Sequence, residues 1–324
     1  MIRRFGYVAI AKSIDAPTNR TCRLRNATPE RLRALIASNV ANLRLVLEFN
    51  LEHSILLYRI SSDLIPFGSH PINQVPWWEE LREPLAAIGR FVRTNGMRVS
   101  MHPGQYTILS ARDARIVTAA IDDLSWHCRL LDALGTAADA KVIVHVGATY
   151  GESKAIAIRR FASVARDLPE TIRRRLIVEN DERIFTAEDA LEAARLAGVP
   201  VVFDWLHHRA NPGSARRHAA ASAVVRRCFA TWRGSDGPPK VHMSSQARGR
   251  RRGTHADYVA ARDVLAFLRL VPDVPFDCML EAKAKDLALF RLRRRLAATG
   301  ITEGGIRSES TKSPRAELTL PQRP

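Results

Sequence analysis

The sequence predicts an α/β protein built as a (β/α)8 TIM barrel and followed by a disordered C-terminal tail. Short β-branched apolar runs alternate with longer stretches at helical spacing, and each kind occurs eight times. Strict alternation without tandem hairpins is typical of a parallel sheet, and eight repeats are what a closed barrel requires. An open doubly wound sheet is the alternative, but neither G-x-G-x-x-G nor G-x-x-x-x-G-K-[ST], its usual phosphate loops, is present.

The predicted elements follow one another along almost the whole chain. Strands are expected at 3–10, 55–60, 97–102, 141–146, 175–179, 200–204, 239–242 and 276–281. Helices are expected at 29–51, 77–95, 111–135, 153–168, 186–197, 214–232, 255–269 and 283–298, with start signals such as Thr28-Pro29-Glu30. We therefore expect one barrel domain over 1–299 and a disordered tail over 300–324, where no periodic apolar face occurs.

Charge and cysteine content narrow the class of partner. The chain has 50 Lys and Arg against 33 Asp and Glu, a net charge of +17, and 46% hydrophobic residues. This composition supports a core, and its basic surplus favours nucleic acid, an anionic membrane surface or a phosphorylated substrate, although an Arg-favouring genome would give the same balance. The four cysteines lie far apart in the sequence and form no C-x-x-C motif, which fits a reducing cytosol. The sequence contains no run of 18 apolar residues, so no membrane-spanning helix is predicted.

Residues able to bind metal end six successive predicted strands. In a TIM barrel the strand ends point to the face where the βα loops converge. A single His or Asp beyond a strand is usually a turn former or a helix cap, but imidazoles and carboxylates gathered on one rim need a cation to offset repulsion and desolvation. The predicted ligands are His102, His145, Glu179, Asp204, His207, His242, His255 and Glu281.

Eight ligands are too many for one ion. A catalytic zinc takes three or four protein ligands, so this set suggests two or three divalent ions. Nitrogen and oxygen donors alone suit Mn2+, Zn2+ or Fe2+. Clustered divalent metals on a basic protein favour phosphoester hydrolysis. His208 is expected to support its neighbour His207. The other histidines are expected to be surface or packing residues: His53, His70, His127 and His218.

Basic side chains accompany these ligands. Lys240 precedes His242 by two residues and so faces the same side of its strand. It either pairs with a carboxylate, contacts substrate phosphate or becomes a ligand after carboxylation. The next loop, here called the arginine loop, would contact phosphates and make binding salt-dependent, unless it is a solvated run. Its arginines are Arg248, Arg250, Arg251 and Arg252.

A tight turn follows His102 and presents an amide and a phenol beside the predicted metals. We call this segment, Pro103-Gly104-Gln105-Tyr106, the 103–106 turn. Tyrosine can stack in place of a base, and glutamine can hydrogen-bond an orphaned base edge. The turn therefore suggests contact with nucleic-acid bases.

Six motifs have the order and spacing of a known family. They are Tyr58-Arg59-Ile60-Ser61-Ser62-Asp63, Ser100-Met101-His102-Pro103-Gly104-Gln105-Tyr106, Val178-Glu179-Asn180-Asp181, Asp204-x-x-His207-His208, Lys240-Val241-His242-x-Ser244-Ser245 and Leu280-Glu281-Ala282-Lys283-x-Lys285. Together they resemble the UV damage endonucleases over about residues 2–297. The resemblance implies a TIM barrel similar to endonuclease IV and the xylose isomerases, with a Mn2+-dependent cluster that nicks DNA immediately 5′ to photoproducts and some other lesions.

The resemblance also implies roles for individual residues. The eight candidate ligands would hold the metals, and Lys240, Glu179 and Glu281 would be catalytic. Gln105 and Tyr106 would probe the lesion by filling the gap left by flipped nucleotides, and Tyr7 would face the damaged bases.

Three other functions are compatible with a metal-binding barrel. An abasic-site endonuclease would share the metals and differ at the 103–106 turn, whereas a sugar isomerase or epimerase gains nothing from the +17 charge or the arginine loop. A DNA-binding protein with structural metal is the non-enzymatic alternative. We expect a monomer that initiates excision repair on damaged duplex DNA, without a membrane or a small organic cofactor, in the cytoplasm and, in a bacterium, at the nucleoid.

Overall fold

Eight parallel strands form the centre of the molecule in a computed structural model, which describes residues 1–305. The strands are β1 (Ile2–Ala9), β2 (Leu57–Ile60), β3 (Arg98–Ser100), β4 (Val142–His145), β5 (Leu176–Glu179), β6 (Val201–Asp204), β7 (Lys240–Met243) and β8 (Phe276–Leu280). They pair in the order β3-β2-β1-β8-β7-β6-β5-β4, and a parallel bridge between Met101 and Val142 joins β3 to β4. The predicted (β/α)8 barrel is confirmed.

Helices follow every strand and cover the outside of the barrel. They are α1 (Pro29–Glu52), α2 (Trp77–Glu80), α3 (Arg82–Thr94), α4 (Ala114–Ala133), α5 (Lys154–Asp167), α6 (Glu170–Arg173), α7 (Ala187–Ala197), α8 (Trp205–Ala210), α9 (His218–Ala230), α10 (Ala261–Leu268) and α11 (Asp286–Ala297). Local caps fix several starts. The Thr28 hydroxyl accepts a hydrogen bond from the Arg31 amide before α1, and Thr186 and Asp189 form a reciprocal capping box at α7.

Two predicted helices differ from the observed ones. The helix expected at 77–95 is divided at Leu81 into α2 and α3, because Pro84 has no N–H to donate to the carbonyl one turn earlier and fits only in the first turn of a helix. The helix expected at 255–269 begins only at Ala261, because the preceding residues belong to the arginine loop. The Ala260 amide donates to the Ser245 hydroxyl at 2.9 Å, which marks the junction.

Strand register determines which side chains point into the barrel. On β7 and β8, Lys240 pairs with Asp277 and His242 with Met279, so these four side chains share the inner face. Asp277 and Arg98 form a buried ion pair of 2.9 Å at the amino-terminal end of the strands. The barrel interior thus passes from a charged layer at one end to the candidate ligands at the other. Two apolar clusters separate these ends: Val8, Leu57 and Met279, and Ile143, Ile177 and Val202.

The first residues after α11 pack against the barrel, where the prediction placed a disordered tail. The disordered tail was expected from residue 300, but Ile301 packs against the core, and Glu303 accepts a hydrogen bond from the Phe5 amide and pairs with Arg293 at 2.7 Å. Glu303 reaches β1 just after a register irregularity between Ile2 and Arg4. Residues 306–324 of the predicted tail lie outside the described residues. Within residues 1–305, none of the helices is long and apolar enough to cross a membrane.

Candidate active site

The carboxyl end of the barrel gathers the predicted ligands around Glu179. This carboxylate is fully buried at the end of β5. Its Oε2 lies 3.0 Å from His102 Nε2, and its Oε1 lies 2.8 Å from His242 Nδ1. The Nδ1 of His207 is 3.6 Å from the same Oε1. One carboxylate therefore contacts imidazoles from three separate segments of the chain.

Three overlapping groups of side chains form the centre of the site. In each group the ligand atoms lie within 4.8 Å of one another: His102, Glu179 and His242; Glu179, Asp204 and His207; Asp204, His242 and Glu281. Any two of the groups share one residue, either Glu179, Asp204 or His242. Shared ligands of this kind allow neighbouring divalent cations to be bridged, so the site has the groups to hold metal.

His145 and His255 flank these groups. The Nε2 of His145 lies 3.9 Å from Glu179 Oε2, and its ring centroid is 5.3 Å from that of His102. On the other side, His255 Nδ1 lies 3.6 Å from Glu281 Oε2. All eight predicted ligands therefore belong to one continuous cluster.

Three ligand atoms of the cluster are buried and have no hydrogen-bond partner among residues 1–305. They are His145 Nδ1, Asp204 Oδ2 and His242 Nε2. Buried polar atoms are nearly always bonded, so these lone pairs indicate a partner outside the polypeptide. Imidazole nitrogens and carboxylate oxygens without thiolate are donors for Mn2+, Zn2+ or Fe2+, and the residues present therefore fit a divalent cation.

Burial and neighbouring charges set the protonation of the cluster. Burial raises the pKa of Asp204, and the carboxylates of Glu179 and Glu281 raise it further. Burial also opposes ionisation of Glu179, but His242 and two further imidazoles outweigh it and hold the pKa of Glu179 well below its usual range. Burial lowers the pKa of His207, whereas the three carboxylates together raise it to about 9. In this environment His207 carries a proton at neutral pH, and metal binding requires its release.

The short helix α8 places His207 over the cluster, and sequence periodicity did not predict it. Asp204 ends β6 and caps α8, since its Oδ1 accepts a hydrogen bond of 2.6 Å from the His207 amide. The His207 Nδ1 then donates to the Asn180 carbonyl at 2.9 Å, which orients the ring. Six residues are too few to show a helical period, but the spacing Asp204-x-x-His207 is that of a capped first turn.

Arg59 is a site residue to which the sequence analysis assigned no role. It points inward from β2, and its Nη1 pairs with Glu281 Oε1. Glu281 is also 3.1 Å from His242. Burial opposes ionisation of Glu281, but Arg59 and His242 outweigh it and lower its pKa. The signal available in the sequence was an arginine at an inward position of a short apolar strand.

Lys240 lies on the same strand face as His242, as predicted. The lysine is 1% exposed, and its Nζ has no hydrogen-bond partner in the part of the chain that the structure describes. Asp277, opposite it on β8, is already paired with Arg98. A salt bridge for Lys240, one of the three predicted alternatives, is therefore not formed among residues 1–305. Burial first, and Arg98 next, lower the pKa of Lys240 well below its usual range.

The 103–106 turn projects from the rim beside the cluster. Gln105 is exposed and Tyr106 is 68% exposed, while the Thr107 amide closes the turn by donating to the Gly104 carbonyl at 3.0 Å. A cavity of about 150 Å3 lies between this turn, His145 and the loop after β5. The turn is therefore free to contact a molecule that reaches the rim.

Tyr7 does not fit the prediction that it faces damaged bases. Alternation along β1 points its neighbours Gly6 and Val8 into the barrel and Tyr7 outward, towards α1. Its side chain is fully buried, and its hydroxyl donates to Asn50 on α1 at 2.7 Å. A packed position between sheet and helix leaves no surface for a base, so Tyr7 is a core residue.

The arginine loop forms a small hairpin on the same rim. An antiparallel bridge joins Gln246 to His255, and the side-chain amide of Gln246 donates to the Arg251 carbonyl and accepts from the Gly253 amide. The hairpin thus carries the ligand His255 at its base. All four arginines of the loop are exposed, and among residues 1–305 none of them pairs with a carboxylate.

Two histidines differ from the sequence expectation. His208 packs between Phe203 and Trp205, away from the ligands, because the residue after His207 falls on another face of α8. It does not support His207. His127 is buried as a packing residue would be, but its Nε2 lies 3.0 Å from the Ser62 hydroxyl, which donates to the His102 carbonyl. The remaining three are exposed, as predicted: His53, His70 and His218.

Known proteins resemble this chain in both sequence and fold. A family model described as UV-endonuclease UvdE matches residues 3–307. A UV DNA damage endonuclease of Clostridium perfringens is 33% identical over 290 residues, 89% of this chain and 69% of the relative. One of Bacillus velezensis is 34% identical over 308 residues, 92% of this chain and 95% of the relative.

Solved structures agree with these relatives. The crystal structure of SacUVDE has a TM-score of 0.83 at 34% identity, covering 92% of this chain and 99% of that chain. Endonuclease IV from Thermus thermophilus has a TM-score of 0.58 at 16% identity, covering 91% and 99%, which shows a shared fold. From the extent of the family match and the two relatives above 30% identity, we conclude that the chain belongs to the UV-endonuclease UvdE family.

Proposed function

We propose that this protein is a UV damage DNA endonuclease, which hydrolyses one phosphodiester bond of duplex DNA immediately 5′ to a photoproduct or another lesion and so initiates excision repair. The observation that carries the proposal is the grouping at one rim of three overlapping ligand sets, the exposed 103–106 turn and the exposed arginine loop. Membership of the UvdE family supports the same function.

We infer that the active enzyme holds two or three divalent ions, with Mn2+ as the native ion and Zn2+ or Fe2+ as alternatives. Three ligand groups that share members, together with the unpartnered ligand atoms, support this number. When bound, the ions supply Lewis acidity that stabilises negative charge on the phosphate. The residues that would hold them are His102, His145, Glu179, Asp204, His207, His242, His255 and Glu281.

Glu179 and Glu281 are the proposed catalytic carboxylates. Glu179 contacts three imidazoles and belongs to two ligand groups, so it would be a ligand that both groups share. Glu281 is held by Arg59, which pairs with the same Oε1 that lies 3.1 Å from His242 Nδ1. This ion pair keeps Glu281 charged and oriented before substrate arrives.

Lys240 is the third proposed catalytic residue. Its burial beneath the rim favours ligation after carboxylation over direct contact with a substrate phosphate. Carbamate formation requires a neutral amine, and the lowered pKa of Lys240 supplies one. Arg98 pairs with Asp277 Oδ2 nearby, and the Lys240 amine has no hydrogen-bond partner among residues 1–305.

The exposed segments of the rim form the proposed DNA interface. The arginines Arg248, Arg250, Arg251 and Arg252 would contact backbone phosphates, and Gln105 with Tyr106 would enter the opened duplex. Exposure of the phenol and the amide supports the second role, because stacking and base-edge hydrogen bonds need both groups free. We further propose that the enzyme acts as a monomer without a small organic cofactor, in the cytoplasm and, in a bacterium, at the nucleoid.

A nicking assay tests this function. The metal-stripped protein is incubated with a labelled duplex that carries a single photoproduct, with and without added Mn2+. We expect one cut immediately 5′ to the lesion only with Mn2+, and none in the undamaged duplex. Cutting confined to a duplex with an abasic site would instead assign an abasic-site endonuclease.

A further inference from the structure

Helix α4 carries two buried polar side chains that the proposed chemistry does not use. Asp123 is 2% exposed, and His127, one turn later, is fully buried. Buried polar groups are costly unless they are hydrogen-bonded. Asp123 contacts Thr107, directly after the 103–106 turn, and His127 contacts Ser62, whose hydroxyl lies against the carbonyl of the ligand His102.

Asp123 holds the end of the 103–106 turn. Its Oδ2 accepts a hydrogen bond of 2.5 Å from the Thr107 hydroxyl, and its Oδ1 accepts from Trp126 Nε1 at 2.8 Å and from the Ser69 hydroxyl at 3.2 Å. Thr107 also closes the turn through its own amide. The carboxylate thus fixes the residue immediately after the exposed Tyr106.

His127 holds the other end of the same segment. Its Nδ1 donates to the Asp123 carbonyl at 2.6 Å, and its Nε2 lies 3.0 Å from the Ser62 hydroxyl. That hydroxyl also lies 2.6 Å from the His102 carbonyl. Because Nε2 of the neutral ring carries no hydrogen, the single hydroxyl hydrogen of Ser62 points to one of these two acceptors at a time. The imidazole of His102 in turn lies 3.0 Å from Glu179. The contact therefore extends from α4 to the centre of the ligand cluster.

We propose that Asp123 and His127 are positioning residues that act through two separate sets of contacts, here called arms. This inference rests on the function proposed above. The arm from Asp123 through Thr107 fixes the 103–106 turn for insertion into the duplex. The arm from His127 through Ser62 fixes the backbone of His102 for metal binding. One face of α4 thereby keeps the 103–106 turn and the ligand His102 at a fixed distance and orientation to each other. Asp123 and His127 themselves do not touch the substrate.

Thr107→Val tests the turn arm, because it removes the hydroxyl without changing side-chain shape. Losing a hydrogen bond to a charged group should lower kcat/KM on a duplex photoproduct by about 10-fold or more. Activity on a photoproduct placed in a pre-opened bubble should stay within about twofold of wild type, since insertion is then unnecessary. Thr107→Ser, which restores the hydroxyl, should recover most of the loss.

Ser62→Ala tests the ligand arm. Outer contacts of a metal ligand typically contribute 10- to 100-fold in metal affinity, so Mn2+ binding measured by calorimetry should weaken by about 10-fold or more. Activity should fall equally on duplex and bubble at limiting Mn2+ and recover at high Mn2+. Thr136→Val, which removes a hydroxyl that bonds only the Leu131 carbonyl at the far end of α4, is the matched control and should change neither readout.

The outcomes separate this inference from the proposed function. Hydrogen exchange of the amides of residues 104–110 should rise in Thr107→Val and not in Ser62→Ala. Neither this readout nor the Mn2+ titration requires nicking. Equal losses on both substrates in Thr107→Val, or unchanged Mn2+ affinity in Ser62→Ala, would show that α4 only stabilises the fold. If the wild-type protein fails to nick the photoproduct duplex, the proposed function is refuted. If hydrogen exchange still rises in Thr107→Val and Mn2+ binding still weakens in Ser62→Ala, the positioning role is nevertheless supported.

Discussion

Replacing Arg248, Arg250, Arg251 and Arg252 by alanine should weaken binding to every duplex and reduce the salt dependence of that binding. The four side chains are exposed and form no ion pair among the described residues, so each guanidinium is available for a phosphate. Arg252 uses one nitrogen to donate to the Arg209 carbonyl and keeps its other donors. We therefore expect up to four phosphate contacts from this loop.

The expected size follows from counterion release. Each phosphate contact contributes about 0.9 to the slope of log affinity against log salt, so four contacts contribute about 3.6. Between 50 and 200 mM salt, wild-type affinity should then fall about 150-fold more than that of the variant. Fluorescence anisotropy of a labelled undamaged duplex with metal-stripped protein gives both slopes without cleavage.

A second variant controls for total charge. Arg226, Arg227, Arg294 and Arg295 are also exposed, on the outer helices α9 and α11. Their replacement by alanine removes the same four charges and should change the slope far less, because these helices do not face the rim. Equal slopes for wild type and the arginine-loop variant would refute the reasoning and assign the loop to solvent.

Three further predictions concern the cluster and the 103–106 turn. Glu281→Gln should abolish nicking and reduce bound Mn2+ with an unchanged circular dichroism spectrum, because the carboxylate serves the site rather than the apolar core; normal turnover would reject the assignment. Replacing Gln105 and Tyr106 together by Ala should lower activity on a duplex photoproduct about 10-fold more than on a bubble, the effect of one lost base stack, with metal content unchanged; equal losses would withdraw the probing role. Mn2+ affinity, measured by calorimetry, should rise from pH 7 and level off above about 9, because neighbouring carboxylates raise the pKa of His207 to about 9 and only the neutral imidazole binds; a flat profile would contradict this protonation state.

The barrel and its ligands were predictable because both depend on short-range patterns. A strand buried on both faces is a short apolar run, and its last residue points to one known end of a TIM barrel. His145, Glu179 and Asp204 each end such a run, so their convergence followed from topology alone. The exposed 103–106 turn followed in the same way from its place directly after a strand.

Contacts between distant segments were not predictable from these patterns. Arg59 and Glu281 are 222 residues apart, and nothing in either local sequence links them. The same holds for Ser62 and His127. The sequence predicts only a surface or packing role for His127, and the contact of its Nε2 with the Ser62 hydroxyl depends on the fold. Tyr7 is a different case, because its role was implied by the family resemblance, whereas the register of β1 points its side chain outward, towards α1.

Anomalous scattering from crystals grown with Mn2+ tests most directly the claim that this rim assembles the cations for cutting DNA. We predict two or three manganese peaks, each within bonding distance of one of the three groups, with Glu179 contacting at least two of the ions. Crystals that contain Mn2+ in the solution but show no peak within bonding distance of Glu179 would contradict the account.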